Sequence, residues 1–151
     1  MACAKLQEYL DSNRVKYVSI KHSPAFTAQE LAASVHIPGK DVAKTVVVKM
    51  DGDLALVVVP APEMVRMNHL KEATGAQEVS LASEEEFRGR FPDCEVGAMP
   101  PFGNLYDMDT YVEGSLAREH EIAFNAGTHT ELIRMAYEDF EELARPKILN
   151  R

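Results

Sequence analysis

Apolar residues recur at helical spacing near the start of the chain and then switch to strand-like alternation. Leu6, Tyr9 and Leu10 form one stripe of a helix predicted over residues 2–13. Residues 15–20 alternate like a strand that ends before His22-Ser23-Pro24. Thr27-Ala28-Gln29-Glu30 reads as a capping box, so a helix is expected through Leu31 and Val35 to the Pro38-Gly39 stop. Residues 42–50 and 54–59 flank Asp51-Gly52, the strongest short hairpin signal in the chain. The second of these strands is apolar on both faces, which predicts a central position in its sheet. Residues 67–74 then read as a helix closed by Gly75, followed by a short strand over 77–81.

Ser83 and Glu86 form a second capping box, and Glu84-Glu85-Glu86 sits where acidic side chains favour the positive end of a helix dipole. Residues 105–112 and 121–125 are expected as strands. Residues 128–135 alternate too, which predicts a strand with His129, Glu131, Ile133 and Met135 on one face. Residues 137–143 close the pattern as a helix. The whole predicts a mixed α/β (α+β) fold: one compact domain over residues 1–151, with a twisted, mostly antiparallel sheet or barrel flanked by helices.

Composition narrows the function classes. The 151 residues suffice for a single core. Lys5, Glu8 and Asp11 interrupt the first apolar residues, so no signal peptide is visible. The longest apolar stretch, residues 54–62, is too short to span a bilayer. Two cysteines, Cys3 and Cys94, make no disulfide framework, and a cytoplasmic protein without membrane association is expected. The net charge of −8 argues against general nucleic-acid binding, because phosphate contacts need Lys and Arg. That charge is uneven: residues 1–50 hold seven Lys/Arg against four Asp/Glu (+3), and the remainder nine against twenty (−11). A mildly basic half leaves room to dock a single nucleic-acid end; an incidental unevenness of surface charge is the equal alternative.

The densest candidate chemistry lies in Cys94-Glu95-Val96-Gly97-Ala98-Met99-Pro100-Pro101-Phe102-Gly103. Two prolines stiffen this loop and donate nothing, while Gly97 and Gly103 admit positive φ and close approach of a ligand. The N–H groups of Gly97, Ala98 and Met99, with those of Phe102 and Gly103, could converge on a carbonyl or phosphate oxygen; an ordinary rigid turn is the plain alternative. Lys44 enters a valine-rich strand, where its stem can lie on apolar surface with the ammonium at the sheet margin, free to meet a phosphate or to pair with Asp41. His129 reads equally as a structural residue or as part of a site. Cys94 has no base or cationic neighbour in sequence to activate its thiol. His22, His36, His69 and His120 lack ligand spacing, so neither a metal nor any other cofactor is indicated.

Four stretches in order resemble the YbaK / prolyl-tRNA-synthetase-associated editing family of aminoacyl-tRNA deacylases. Gly97 and Pro101 match its G-x-x-x-P loop, followed by Phe102-Gly103; Ser80 to Phe87 is similar to the helix leading into that loop. Ala43 to Val48 resembles the strand that carries its key lysine, and Val57 to Pro60 the strand after it. Gly127-Thr128-His129-Thr130 resembles the alanine-specific branch. The likeness runs from about His22 to Phe140.

The resemblance implies a YbaK-like fold and a trans-acting hydrolase that deacylates mischarged tRNA, with alanyl-tRNA(Pro) as the substrate. It implies that Lys44 contacts the terminal nucleotide and supports ester cleavage together with Gly97 and Ala98, and that Pro101, Phe102, Gly103, Gly127 and His129 line the substrate site. The partners implied are the acceptor end of tRNA and a prolyl-tRNA synthetase. A cysteinyl-tRNA(Pro) deacylase, or a non-catalytic member that binds a small ligand or partner, is the alternative.

Overall fold

The computed structural model describes residues 4–23, 32–33 and 35–149. The capping box expected at Thr27 to Glu30, and Cys3, lie outside these residues. The chain opens with α1 (Ala4–Ser12), whose Leu6 and Leu10, one turn apart, are fully buried. A short strand, β1 (Tyr17–Lys21), follows.

The hairpin of β2 (Ala43–Met50) and β3 (Asp53–Pro60) turns through Asp51 and Gly52, whose φ values of 48° and 92° suit a type I′ turn. After α2 (Met67–Thr74), Gly75 at φ 77° ends the helix, and β4 (Val79–Leu81) pairs with the free edge of β2. The short α3 (Glu84–Phe87) carries the expected capping box between Ser83 and Glu86. Then come β5 (Asp109–Glu113), α4 (Gly114–Ala117), β6 (Glu121–Thr128), β7 (Glu131–Ala136), α5 (Tyr137–Ala144) and β8 (Lys147–Leu149).

Two sheets result, of order β1-β7-β6 and β4-β2-β3-β5-β8. All pairings are antiparallel except β3 with β5 and β5 with β8. The sheets meet at a parallel bridge between Val42 and Ala123. The fold is thus the expected single α+β domain, with β3 central as its two apolar faces require. Leu56 and Val58 point to one side of β3, while Val57 and Val59 pack with Leu70 of α2 on the other.

The main core lies between the sheets. Phe102 is its centre, fully buried, with ring centroids 5.3 Å from Phe140, 5.7 Å from Phe124 and 6.3 Å from Tyr9. Burying one such ring contributes about 1.5–3 kcal/mol. The Gly/Pro loop is therefore anchored at its downstream end by the core itself.

Two expectations are corrected. Residues 105–112 do not form one strand: a 3₁₀ turn (Gly103–Leu105) and a reversal through Asp107 at φ 58° precede β5. Tyr106 and Met108 are apolar because they pack under the sheet beside Phe87 and Phe91. Residues 128–135 do not form one strand either. His129 and Thr130 are the two-residue turn between β6 and β7, closed by the Thr128–Glu131 pair. The terminal strand β8, beyond Pro146, went unanticipated.

Candidate functional site

The Gly/Pro loop starts as a tight turn. The N–H of Ala98 donates to the Glu95 carbonyl at 3.0 Å, which places Gly97 third in the turn at φ 86°. A type II turn demands positive φ at that position, and glycine adopts it without steric cost. The prolines that follow are buried and draw the chain down to Phe102.

This turn is bolted to the end of the β6–β7 hairpin. The N–H of Glu95 donates to the Gly127 carbonyl at 2.7 Å, and the N–H of Gly127 to the Ala98 carbonyl at 2.9 Å. Gly127, at φ 98°, sits in the register shift between Asn125 and Thr128, so the hairpin end bends out of the ladder to meet the loop. The N–H of His129 donates to Glu95 Oε1 at 2.8 Å, and its ring Nε2 lies 2.8 Å from the Val96 carbonyl. A carbonyl only accepts, so Nε2 carries the proton. The ring is buried, and a Cβ placed on Gly97 would stand 3.4 Å from His129 Cε1. Gly97, Gly127 and His129 thus form one constellation, as a sequence separation of some thirty residues does not reveal.

The loop's donors divide into two groups. Ala98 N–H is used in closing the turn, and Gly103 N–H is buried on Thr110 Oγ1 at 2.9 Å. Gly103 does not have positive φ; it is glycine because a Cβ would lie 2.5 Å from Thr110 Oγ1 and 2.6 Å from the Met108 carbonyl. Among the described residues Gly97 N–H meets only the thioether of Met99 at 3.2 Å, a weak acceptor. The N–H groups of Met99 and Phe102 have no hydrogen-bond partner among the described residues.

Lys44 is the second residue of β2, opposite Val59. Its half-buried ammonium donates to the Ala61 carbonyl at 3.2 Å. Among the described residues no carboxylate lies within ion-pair distance of it. Asp41 is engaged elsewhere: burial, then a hydrogen bond with Glu119, pushes its carboxyl above the ordinary range, while Glu119 pairs with Lys40 at 3.5 Å. Among the described residues no hydrogen bond joins the Lys44 side chain to the loop. The pleat points Lys44 with Val59, whereas the adjoining Ala43 packs in the cluster of Phe102 and Ala126. The loop and the hairpin meet the start of β2 through Phe102, Ala126 and Ala43.

A hollow of about 170 Å³ adjoins the turn, lined by Phe87, Phe91, Cys94, Val96 and Met99 with Arg88 and Glu84 at its edge. Cys94 Sγ shares a hydrogen bond with the Tyr106 hydroxyl at 3.3 Å, beneath the aromatic cluster. Among the described residues no group of three or more His, Cys, Asp or Glu could hold a metal ion, and no helix is long and apolar enough to cross a membrane. Glu95 and the Val96 carbonyl were not singled out from sequence. The only local hint was an acidic residue two positions before a turn glycine.

Residues 22–143 match the aminoacyl-tRNA editing domain family. The chain is 24% identical over 143 residues to the prolyl-tRNA editing protein ProX of Acetoanaerobium sticklandii, covering 90% of this chain and 86% of that one. It is also 32% identical over 89 residues to a proline–tRNA ligase of Bacillus mycoides; the match takes in 59% of this chain but spans only 16% of that enzyme's length. Among solved structures, a hypothetical protein aligns with a TM-score of 0.84 at 21% identity, over 95% of this chain and 96% of that one. A candidate trans-editing enzyme for prolyl tRNA synthetase aligns at 0.80 and 21% identity, over 97% and 93%. At these identities the structural likenesses establish the fold.

Proposed function

This chain belongs to the aminoacyl-tRNA editing domain family, and we propose that it is a trans-acting hydrolase that removes alanine from mischarged tRNA(Pro). The observation that carries the proposal is the clasp between the Gly97 turn and His129, which presents a main-chain donor held only by a thioether. An aminoacyl ester is already activated, so its hydrolysis needs little acid–base machinery. It needs donors for the developing oxyanion, a charge for the terminal phosphate and a placed water. Gly97 and Met99 N–H supply the donors, and each such group can be worth roughly 3 kcal/mol in the transition state. Ala98 acts by closing the turn, while Pro101, Phe102 and Gly103 hold it to the core. Lys44 supplies the charge, its remaining ammonium donors meeting the 3′-terminal phosphate. His129 and Gly127 bound the space left for the amino-acid side chain.

The chemistry has a reason to exist. A pocket built for proline cannot strongly exclude the smaller alanine, since a methylene is worth only about 1–3 kcal/mol. A second, tighter site can then hydrolyse the wrong product and shut proline out. Acting in trans places the protein in the cytoplasm beside a prolyl-tRNA synthetase, where it engages the acceptor end alone; its acidic surface suits so limited a contact.

The test is release of amino acid from tRNA(Pro) charged in turn with alanine, cysteine and proline. Hydrolysis of the alanyl ester with sparing of the prolyl ester is expected. Preferential loss of cysteine would assign the chain to a cysteinyl-tRNA(Pro) deacylase, and no release at all would leave a ligand-binding or regulatory domain.

A further inference from the structure

Glu95 touches every part of the clasp. Its N–H reaches the Gly127 bulge at 2.7 Å, its carbonyl closes the Gly97 turn through Ala98 N–H at 3.0 Å, and its carboxylate takes the His129 N–H at 2.8 Å. The side chain stands at the surface, so burial of apolar area does not account for a carboxylate here. What it does is fix the hairpin turn from which the imidazole projects. With the His129 main chain held, Nε2 reaches the carbonyl of the very next loop residue, Val96, at 2.8 Å. That bond places the ring proton on Nε2, because a carbonyl only accepts.

We propose that Glu95 is the positioning residue of this site, setting where His129 stands, and in which tautomer, against the Gly97 turn. The inference rests on the reading of the clasp as an ester-hydrolysing centre. Glu95 touches no substrate and acts through His129 and the turn. A carboxylate is stronger than a neutral acceptor for a main-chain N–H, but geometry is the requirement. An amide oxygen at the same reach therefore suffices, and a methyl group does not.

The experiment compares full-length wild type, Glu95→Gln and Glu95→Ala. Nitrogen-15 NMR reads the His129 ring tautomer and the exchange rate of its amide proton, and steady-state kinetics on alanyl-tRNA(Pro) supplies kcat and KM. Wild type and Glu95→Gln are expected to share the Nε2–H tautomer and a protected amide. Glu95→Ala is expected to mix tautomers, speed amide exchange by about tenfold or more, and lower kcat by about tenfold with KM nearly unchanged. A Glu95→Ala protein with unaltered His129 signals would overturn the proposal, as would a Glu95→Gln protein as impaired as Glu95→Ala. If wild type hydrolyses nothing while the NMR differences appear, the hydrolase reading fails and the positioning role stands.

Discussion

The imidazole Nε2 of His129 donates to the carbonyl of Val96 across 2.8 Å, tying a hairpin turn to a loop thirty-three residues earlier in the chain. The ring stands against Gly97 on one side and the hairpin on the other, and in the proposed site it forms a wall. Replacing it with alanine should enlarge the space for the substrate side chain. Discrimination, measured as the ratio of kcat/KM for alanyl- and prolyl-tRNA(Pro), is expected to fall in His129→Ala. Each tenfold change corresponds to about 1.4 kcal/mol of differential transition-state binding. An unchanged ratio with uniformly slower turnover would make His129 purely structural.

Gly97 tests the loop. A valine there must adopt φ near 86°, which β-branched residues strongly resist, and must set its side chain against His129 Cε1. Gly97→Val is expected to lose activity by about a hundredfold or more, roughly 2.7 kcal/mol of transition-state binding. Strain of about 1–2 kcal/mol should move the thermal midpoint by only several degrees in a chain of this size. Loss of activity in mere proportion to loss of stability would assign the glycine to folding alone.

Gly103 makes the opposite prediction. Its missing Cβ is filled by Thr110 Oγ1 and the Met108 carbonyl. Gly103→Ala should destabilise by about 1–3 kcal/mol, as overpacking does, while the fraction that remains folded deacylates normally. Calorimetry alongside activity per folded molecule checks this; a stable but inactive variant would place Gly103 in the site.

Glu86 gives a pH signature apart from the chemistry. The Ser83 N–H first, and the Lys49 ammonium at 2.9 Å second, lower its carboxyl to about 2. The unfolded value is near 4.3, so the ionised group stabilises the fold above that pH, and the contribution fades as pH falls toward 2. Glu86→Gln should therefore melt below wild type near neutrality, with the two curves converging in acid. A gap independent of pH would contradict this origin.

Much of the fold was legible because local chemistry and global fold agree. Asp51-Gly52, Ser83 with Glu86, and Gly75 each permit few conformations, and each forms the element its residues demand. Misreadings came where an apolar run serves packing rather than pairing, as at Tyr106 and Met108, or where strand alternation crosses a turn, as at His129. The candidate site was legible as residues but not as geometry. Gly97 and His129 could be named from sequence. That Glu95 joins them, that Ala98 N–H is already engaged, and that Lys44 reaches the Ala61 carbonyl follow from long-range register, which has no local signature.

Lys44 bears on the central claim most directly, because its ammonium has a neutral carbonyl as partner and no carboxylate among the described residues. Removing it breaks no ion pair, so Lys44→Ala should stay folded. The decisive measurement is single-turnover hydrolysis of alanyl-tRNA(Pro) by wild type and Lys44→Ala, side by side, against the spontaneous rate. Rapid release by wild type is expected, with loss of about a hundredfold in the variant, in keeping with a charge-assisted contact of roughly 1.5–3 kcal/mol. Release by wild type no faster than spontaneous hydrolysis, or equal rates for the two folded proteins, would contradict it.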